Sequence, residues 1–455
     1  MAHGAALRRR AARARGWPGQ ERLRSLPPGT AGARTVAGLS ERWPRGVVTG
    51  ISPEAPLPAS CRPTGRDVRP SECARQQHSR GKAARRGTQS KEFGQGNRGT
   101  GDPGRKWARG LSRARARGSR PWPWRLRATE RARLAKAVGC SLDEIAITRG
   151  ATEALQVMIG GYNKLKPGDA VAYADLDYDS MQYAMNWLKD RRGVDVITTA
   201  IPEPATYQNV IDHYTKLLSD NPRIKLLLLT HISHRTGLKV PISEISRMAA
   251  ERGVDTVVDA AHSWGHVDFD VKDLNSPFVG FNLHKWIGAP LGCGFLYIQK
   301  DRLGDIDRHF ADEDFDADDV RSRIHTGTAN SANYLSIPAA LDFHHAVGAA
   351  NKFARLQYLR DRWVKQVVDV PNLTVMTPED HRMYGALTSF RIDGNTTREQ
   401  SVAITDYLTN EWGVFTVRRG GVAKGEVIRV TPALYNTPQD SDLLARALKA
   451  AARRF

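Results

Sequence analysis

Cysteine is scarce, long apolar runs are missing, and the first 127 residues are poor in acids. Four cysteines, Cys61, Cys73, Cys140 and Cys293, lie far apart among 455 residues, with no CxxC pair and no zinc-ligand spacing. That pattern excludes a disulfide framework or a zinc finger and suits free thiols in a reducing compartment, expected here to be cytoplasmic. No run of 18 or more apolar residues occurs, so no transmembrane helix is expected. The opening MAHGAALRRRAARARGWPGQ carries arginines with no apolar stretch behind them, and a secretory signal is not expected either. P-loop, G-x-G-x-x-G, HExxH and deaminase-type zinc motifs are also missing, which removes the common nucleotide and zinc chemistries.

The formal charge of +20 comes from one end of the chain. Residues 1–127 hold 29 Lys and Arg against 7 Asp and Glu, whereas residues 128–455 hold 39 against 41. The basic part is rich in Arg, Gly, Pro, Ala and Ser without apolar periodicity. It is too polar to offset chain entropy by burial and is expected to be disordered. Its composition suits three origins: translation of GC-rich sequence that is no native part of the protein, a solvated tail, or a targeting or nucleic-acid-binding segment. In the last of these, tryptophans between Arg105 and Arg125 would stack among phosphate-binding cations. The remaining residues are ample for a large core and a second, smaller domain.

In that near-neutral part, short apolar runs alternate with helical patterns, which reads as an α/β fold with a mainly parallel sheet. Strands are expected at Ile145–Thr148, through Val171 to Ala174, in IKLLLL, at Thr256–Val258 and at Phe278–Phe281. IKLLLL lacks alternation, as does a strand buried on both faces. Helices are expected over Thr129 to Val138, after Gly150, from about Ser180 and from about Ala205 to Ser219. From Asn372 onward, LTVM, LTSFRI, GVFTV and EVIRVTP alternate with two helices, the last from Gln439 to Arg453, which indicates a smaller C-terminal α+β domain. The expected organisation is 1–127 outside the fold, 128–350 as the large domain and 351–455 as the small one. ADEDFDADDVRSR begins like a calcium loop, but Ala317 and Arg323 stand where Gly and Glu are needed. It reads as a solvated acidic loop.

Chemistry-bearing residues gather just past the strand ends: Thr152, Tyr178, His234, Asp259 with His262, and Asn282 with His284 and Lys285. Open parallel sheets bind ligands in the crevice beyond those ends. The Ala151–Thr152 turn opens a helix, and its amides and dipole suit an anion as well as plain capping by Thr152. Lys285 lies between His284 and Trp286, ahead of a Gly-rich turn. Such a lysine can be desolvated, which lowers its pKa and frees the lone pair that Schiff-base chemistry needs.

GATEAL, then DAAH, then HK about 23 residues later form a set that resembles the class V aminotransferase family, with the isopenicillin N epimerase-like branch nearest. The resemblance covers about Thr129 to Phe455 and implies a fold type I, pyridoxal 5'-phosphate (PLP)-dependent transferase-like architecture. It assigns Asp259 to the cofactor's ring nitrogen, His262 to its ring hydroxyl, and Tyr178 to stacking on the ring. Lys285 would form the internal aldimine and then move the α-proton. Ala151, Thr152, Asn282 and His284 would hold the phosphate, with Thr328 reaching in from the second subunit of a homodimer. Arg429 in VIRVTP would grip the substrate carboxylate. His234 stands where the family often has Asn, so its cofactor contact stays open.

The resemblance also bounds the reaction. Desulfurases of the family carry a nucleophilic Cys between the positions of Thr328 and Arg429, and this chain has none there. Epimerisation, transamination and lyase chemistry on a sulfur amino acid remain, all on a small-molecule amino acid. The family's Asn- and Gly-containing N-terminal segment has no match in residues 1–127. A catalytically impaired relative therefore stands beside these readings, with nucleic-acid binding by the basic segment as a rival from another class.

Overall fold

IKLLLLT, uninterrupted by polar alternation, becomes an inner strand of a seven-stranded sheet, buried along nearly its whole length. The computed structural model describes residues 122–455. The expectations for residues 1–121, disorder and nucleic-acid binding among them, lie outside the described residues.

The large sheet is built from β1 (Ile145–Thr148), β2 (Ala170–Ala174), β3 (Asp195–Thr199), β4 (Ile224–Thr230), β5 (Asp255–Asp259), β6 (Phe278–Asn282) and β7 (Gly294–Ile298). Their order is β1-β7-β6-β5-β4-β2-β3, and only β7 runs against the others. The carboxyl ends of β1, β2, β4, β5 and β6 therefore open on the same edge, which is where the sequence concentrates its polar groups. Helices α1 (Trp122–Val138), α2 (Ala151–Gly161), α3 (Asp179–Arg192), α4 (Tyr207–Asp220) and α5 (Ile242–Ala250) accompany these strands. Leu155, Met158, Ile159 and Tyr162, expected on one helical face, are all buried beneath α2.

After the short α6 (Ser331–Leu335), helices α7 (Ile337–Val347) and α8 (Ala349–Val364) lead to a second sheet. This is antiparallel throughout, in the order β10-β11-β9-β8, from β8 (Leu373–Val375), β9 (Thr388–Ile392), β10 (Val417–Arg419) and β11 (Val427–Val430). Helices α9 (Arg398–Trp412) and α10 (Pro438–Arg454) pack their apolar faces on it, around Trp363, Phe390, Ile404 and Leu448. The fold is the expected one, a large mainly parallel α/β domain followed by a smaller α+β domain. We propose their border at residues 350/351, beside the turn at Gly348 that separates α7 from α8. Among the described residues no helix is long and apolar enough to cross a membrane.

Four local expectations need correction. The first helix begins at Trp122, inside the segment expected to lie outside the fold. Pro123 does not oppose this, because a proline in the first helical turn gives up an amide that has no acceptor there. The cap of α2 is Gly150, with no side-chain cap, and Thr152 is already helical. The strand expected in GVFTV lies later, at Val417–Arg419, where pairing with β11 is available. In the acidic loop Asp312 is not solvated: its side chain is fully covered and accepts from Arg308 at 3.2 Å.

Candidate active site

The converging strand ends and the turn after β10 enclose a cleft of about 820 Å³. Every residue the sequence proposed for the site lines this cleft except Thr328. Thr328 sits on an exposed turn ahead of α6.

One end of the cleft is shaped for an anion. The Ala151 N–H donates to Asn282 Oδ1 at 2.7 Å, which ties the start of α2 to the end of β6. A Cβ on Gly150 would lie 2.9 Å from that oxygen and 3.3 Å from the His284 ring, so the cradle exists only because residue 150 is glycine. With Ala151 engaged, Thr152 and Glu153 carry the next first-turn amides, which have no intrahelical acceptor. His284 Nδ1 lies 3.0 Å from the Cys293 carbonyl, to which it donates, so its other nitrogen is the one left for a ligand.

Lys285 Nζ lies 3.0 Å from His262 Nε2, while the Trp286 indole N–H donates to His262 Nδ1 at 3.3 Å. An indole nitrogen only donates, so Nδ1 accepts and the single proton of the neutral ring belongs on Nε2. Burial, with Lys285 and Arg429 adding to it, holds His262 well below the usual histidine range and keeps the ring neutral. Nε2–H therefore aims at Lys285, an arrangement that favours the free amine, whose lone pair can accept it. Burial pushes Lys285 down to about 8, Asp259 opposing and Arg429 and Arg419 assisting. Trp286 is itself fixed: it stacks on His266 at 3.9 Å between centroids, and Lys352 of α8 donates to its carbonyl. His266 in turn accepts from the Ala386 N–H at 2.6 Å and donates to the His262 carbonyl at 2.9 Å.

Asp259, buried at the end of β5, accepts the Ala261 N–H at 2.9 Å through Oδ1. Burial raises its pKa, countered by that amide and by Lys285. Behind it, Asp177 accepts from Ala174 N–H and from the Thr230 hydroxyl, both at 2.7 Å, joining the ends of β2 and β4. Tyr178, at the start of α3, stays partly exposed and meets His234 edge to face at 5.2 Å. His234 gives its carbonyl to Arg429 Nη1 at 2.8 Å, and its own Nδ1 is buried without a partner. Burial, with Arg235 the leading cation, lowers His234 to about 3, so it faces the cleft neutral.

A sequence profile of the class V aminotransferases matches residues 126–444. The chain belongs to the aminotransferase class V family. This class V chain is 25% identical over 335 residues to the isopenicillin N epimerase of Streptomyces clavuligerus, covering 70% of this chain and 82% of that one. It is 29% identical over 233 residues to a probable cysteine desulfurase of Methanothermobacter thermautotrophicus, covering 48% and 55%. In three dimensions it resembles a cysteine desulfurase from Thermococcus onnurineus, with a TM-score of 0.63 at 18% identity over 74% of this chain and 87% of that one. A cystine C-S lyase gives 0.62 at 20% identity over 75% and 92%.

Sequence reasoning missed His266, Arg419 and the partner role of Trp286. His266 had a readable signal, since HSWGH repeats a histidine four residues after His262. Arg419 had none, because only the pairing of β10, which it ends, with β11 brings it to the strand ends of the large sheet.

Proposed function

We propose that this chain is a pyridoxal-phosphate enzyme that moves the α-proton of an amino acid, with epimerisation as its reaction. The observation that carries the reading is the amine of Lys285, lowered to about 8 by burial and set 3.0 Å from His262 in the same cleft as Asp259. The residues present fit the cofactor: the Gly150 cradle suits its phosphate, and the buried unpartnered nitrogens of His234 and Arg429 suit oxygen-bearing groups. When bound, pyridoxal phosphate supplies an electron sink that acidifies the α-carbon of an attached amine.

In this reading Asp259 holds a proton at the ring nitrogen, as a buried carboxylate beside a nitrogen base does. His262 would offer its Nε2–H to the ring hydroxyl oxygen, and Tyr178 would cover one ring face. Thr152, Asn282 and His284 orient the phosphate, joined by Thr328 of a second copy in a homodimer. Lys285 would hold the cofactor, and its amine is the group placed to take or return the α-proton. Arg429 orients the substrate carboxylate, since a guanidinium fork matches a carboxylate.

The epimerase choice rests on two features. The matched isopenicillin N epimerases are covered over 82% and 84% of their own length. Neither described cysteine suits a thiolate nucleophile: burial pushes Cys140 up to about 12 and Cys293 up to about 11. Incubating the loaded protein with a panel of amino acids in heavy water tests the choice. Solvent deuterium at the α-carbon with inversion and no keto acid supports epimerisation. Keto acid would make it a transaminase, release of a sulfur product a lyase, and cofactor uptake without exchange an impaired relative.

A further inference from the structure

Two guanidinium groups in the cleft lack a carboxylate partner. Among the other arginines that line or back it, Arg149 pairs with Glu153, Arg418 with Glu426, and Arg235 with Asp179. Arg419 and Arg429 form no ion pair among the described residues, and the Nε of each is buried without a hydrogen-bond partner. Burial and then Arg419 lower Arg429 to about 10, while burial and then Arg418 lower Arg419. Keeping a half-buried cation unpaired is costly, and keeping two near one another costs more. Among the acids of the cleft, Asp179 offsets Arg419 only in part, because it is already paired with Arg235. Glu153 and Asp179 are engaged by Arg149 and Arg235, and Asp259 sits at the floor with Lys285.

Arg419 is also misplaced for the cofactor's phosphate. Its charge is felt by Tyr178, Asp179, His234 and Lys285, on the side of the cleft beneath the small domain. At the cradle end, the cation that reaches His284 is Lys285. Once the α-carboxylate has taken Arg429, one positive charge is left over beside the substrate position.

We propose that the substrate is an amino acid whose side chain carries a carboxylate, gripped by Arg419, while Arg429 grips the α-carboxylate. This rests on the cofactor reading given above. A guanidinium fork takes a carboxylate through two parallel hydrogen bonds. The corresponding amide matches it in size but leaves the half-buried Arg419 uncompensated, which is the arrangement that rejects a near-isostere most strongly.

The test uses the full-length chain with Lys285→Ala, loaded with pyridoxal phosphate so that ligand binds without turnover. Calorimetric titration with aspartate and glutamate is set against asparagine and glutamine. At least one acid is expected to bind about 10-fold or more tighter than its amide, as a hydrogen-bonded charge pair implies. Chain length is read from which acid does so. Adding Arg419→Gln should abolish that preference while leaving cofactor affinity and amide binding unchanged, and Arg419→Lys should restore part of it. Arg429→Gln should weaken acid and amide alike. In the Lys285-intact enzyme the same preference should appear in KM.

Amides that bind as tightly as acids overturn the inference alone. A preference that survives Arg419→Gln does so too, as does loss of cofactor instead of acid affinity in that variant. A wild-type chain that takes up no pyridoxal phosphate overturns the cofactor reading and the inference with it.

Discussion

The indole N–H of Trp286 stands 3.3 Å from His262 Nδ1, and that one donor decides that the histidine's proton sits on Nε2, the nitrogen facing Lys285. A protonated lysine would need Nε2 as its acceptor and would force the ring proton onto Nδ1, against the indole. The pair therefore favours the neutral amine. Trp286→Phe keeps the stack on His266 but removes the donor. It should raise the pKa of Lys285 by roughly 0.5–1 unit, the worth of one hydrogen bond. The pH dependence of cofactor attachment, followed by absorbance, measures it; an unmoved midpoint would reject the role of Trp286.

The unperturbed midpoint has its own consequence. Lys285 is depressed from 10.5 to about 8 in the folded chain, so the reactive free amine rises with pH, is half-formed near pH 8 and levels off above it. Attachment of pyridoxal phosphate should follow that curve. The sign for stability agrees: between about 8 and 10.5 the unfolded chain binds the extra proton, so the cofactor-free protein gains stability as pH rises through that window. A midpoint near 10 would show that the amine is solvated.

Gly150→Ala tests the anion cradle. The new methyl group would meet Asn282 Oδ1 at 2.9 Å, displacing the acceptor of the Ala151 N–H. Pyridoxal-phosphate affinity should fall about 10-fold or more, with the thermal midpoint little changed. Titration of cofactor-free protein gives both numbers.

Asp259→Asn keeps an oxygen for the Ala261 N–H, so the fold and cofactor uptake should persist. The negative charge at the cleft floor disappears, and α-proton exchange should drop by about 100-fold or more. Deuterium incorporation under single-turnover conditions checks it.

Much of the fold was legible because its signals are local. IKLLLLT declares a strand buried on both faces, and the run of polar groups after each strand marks the sheet's open edge without any knowledge of strand order. Asp259, His262 and Lys285 share one short stretch of sequence, so a linear reading finds them together. Thr152 was misjudged as a cap because the glycine before it closes the turn, and a glycine cap carries no side-chain signal. The helix at Trp122 was hidden by prolines and arginines that look like tail.

What the sequence by itself determined is therefore the class of architecture and the set of groups at the sheet edge, since both follow from short-range patterning. Which groups act on one another was decided only by the tertiary structure. Ala386 reaches His266 from 120 residues away, Lys352 holds the Trp286 carbonyl from α8, and Arg419 comes to Tyr178 from the small domain. Hydrogen bonds and charges act through space, and no periodicity along the chain records which distant segments the two sheets bring within a few ångströms.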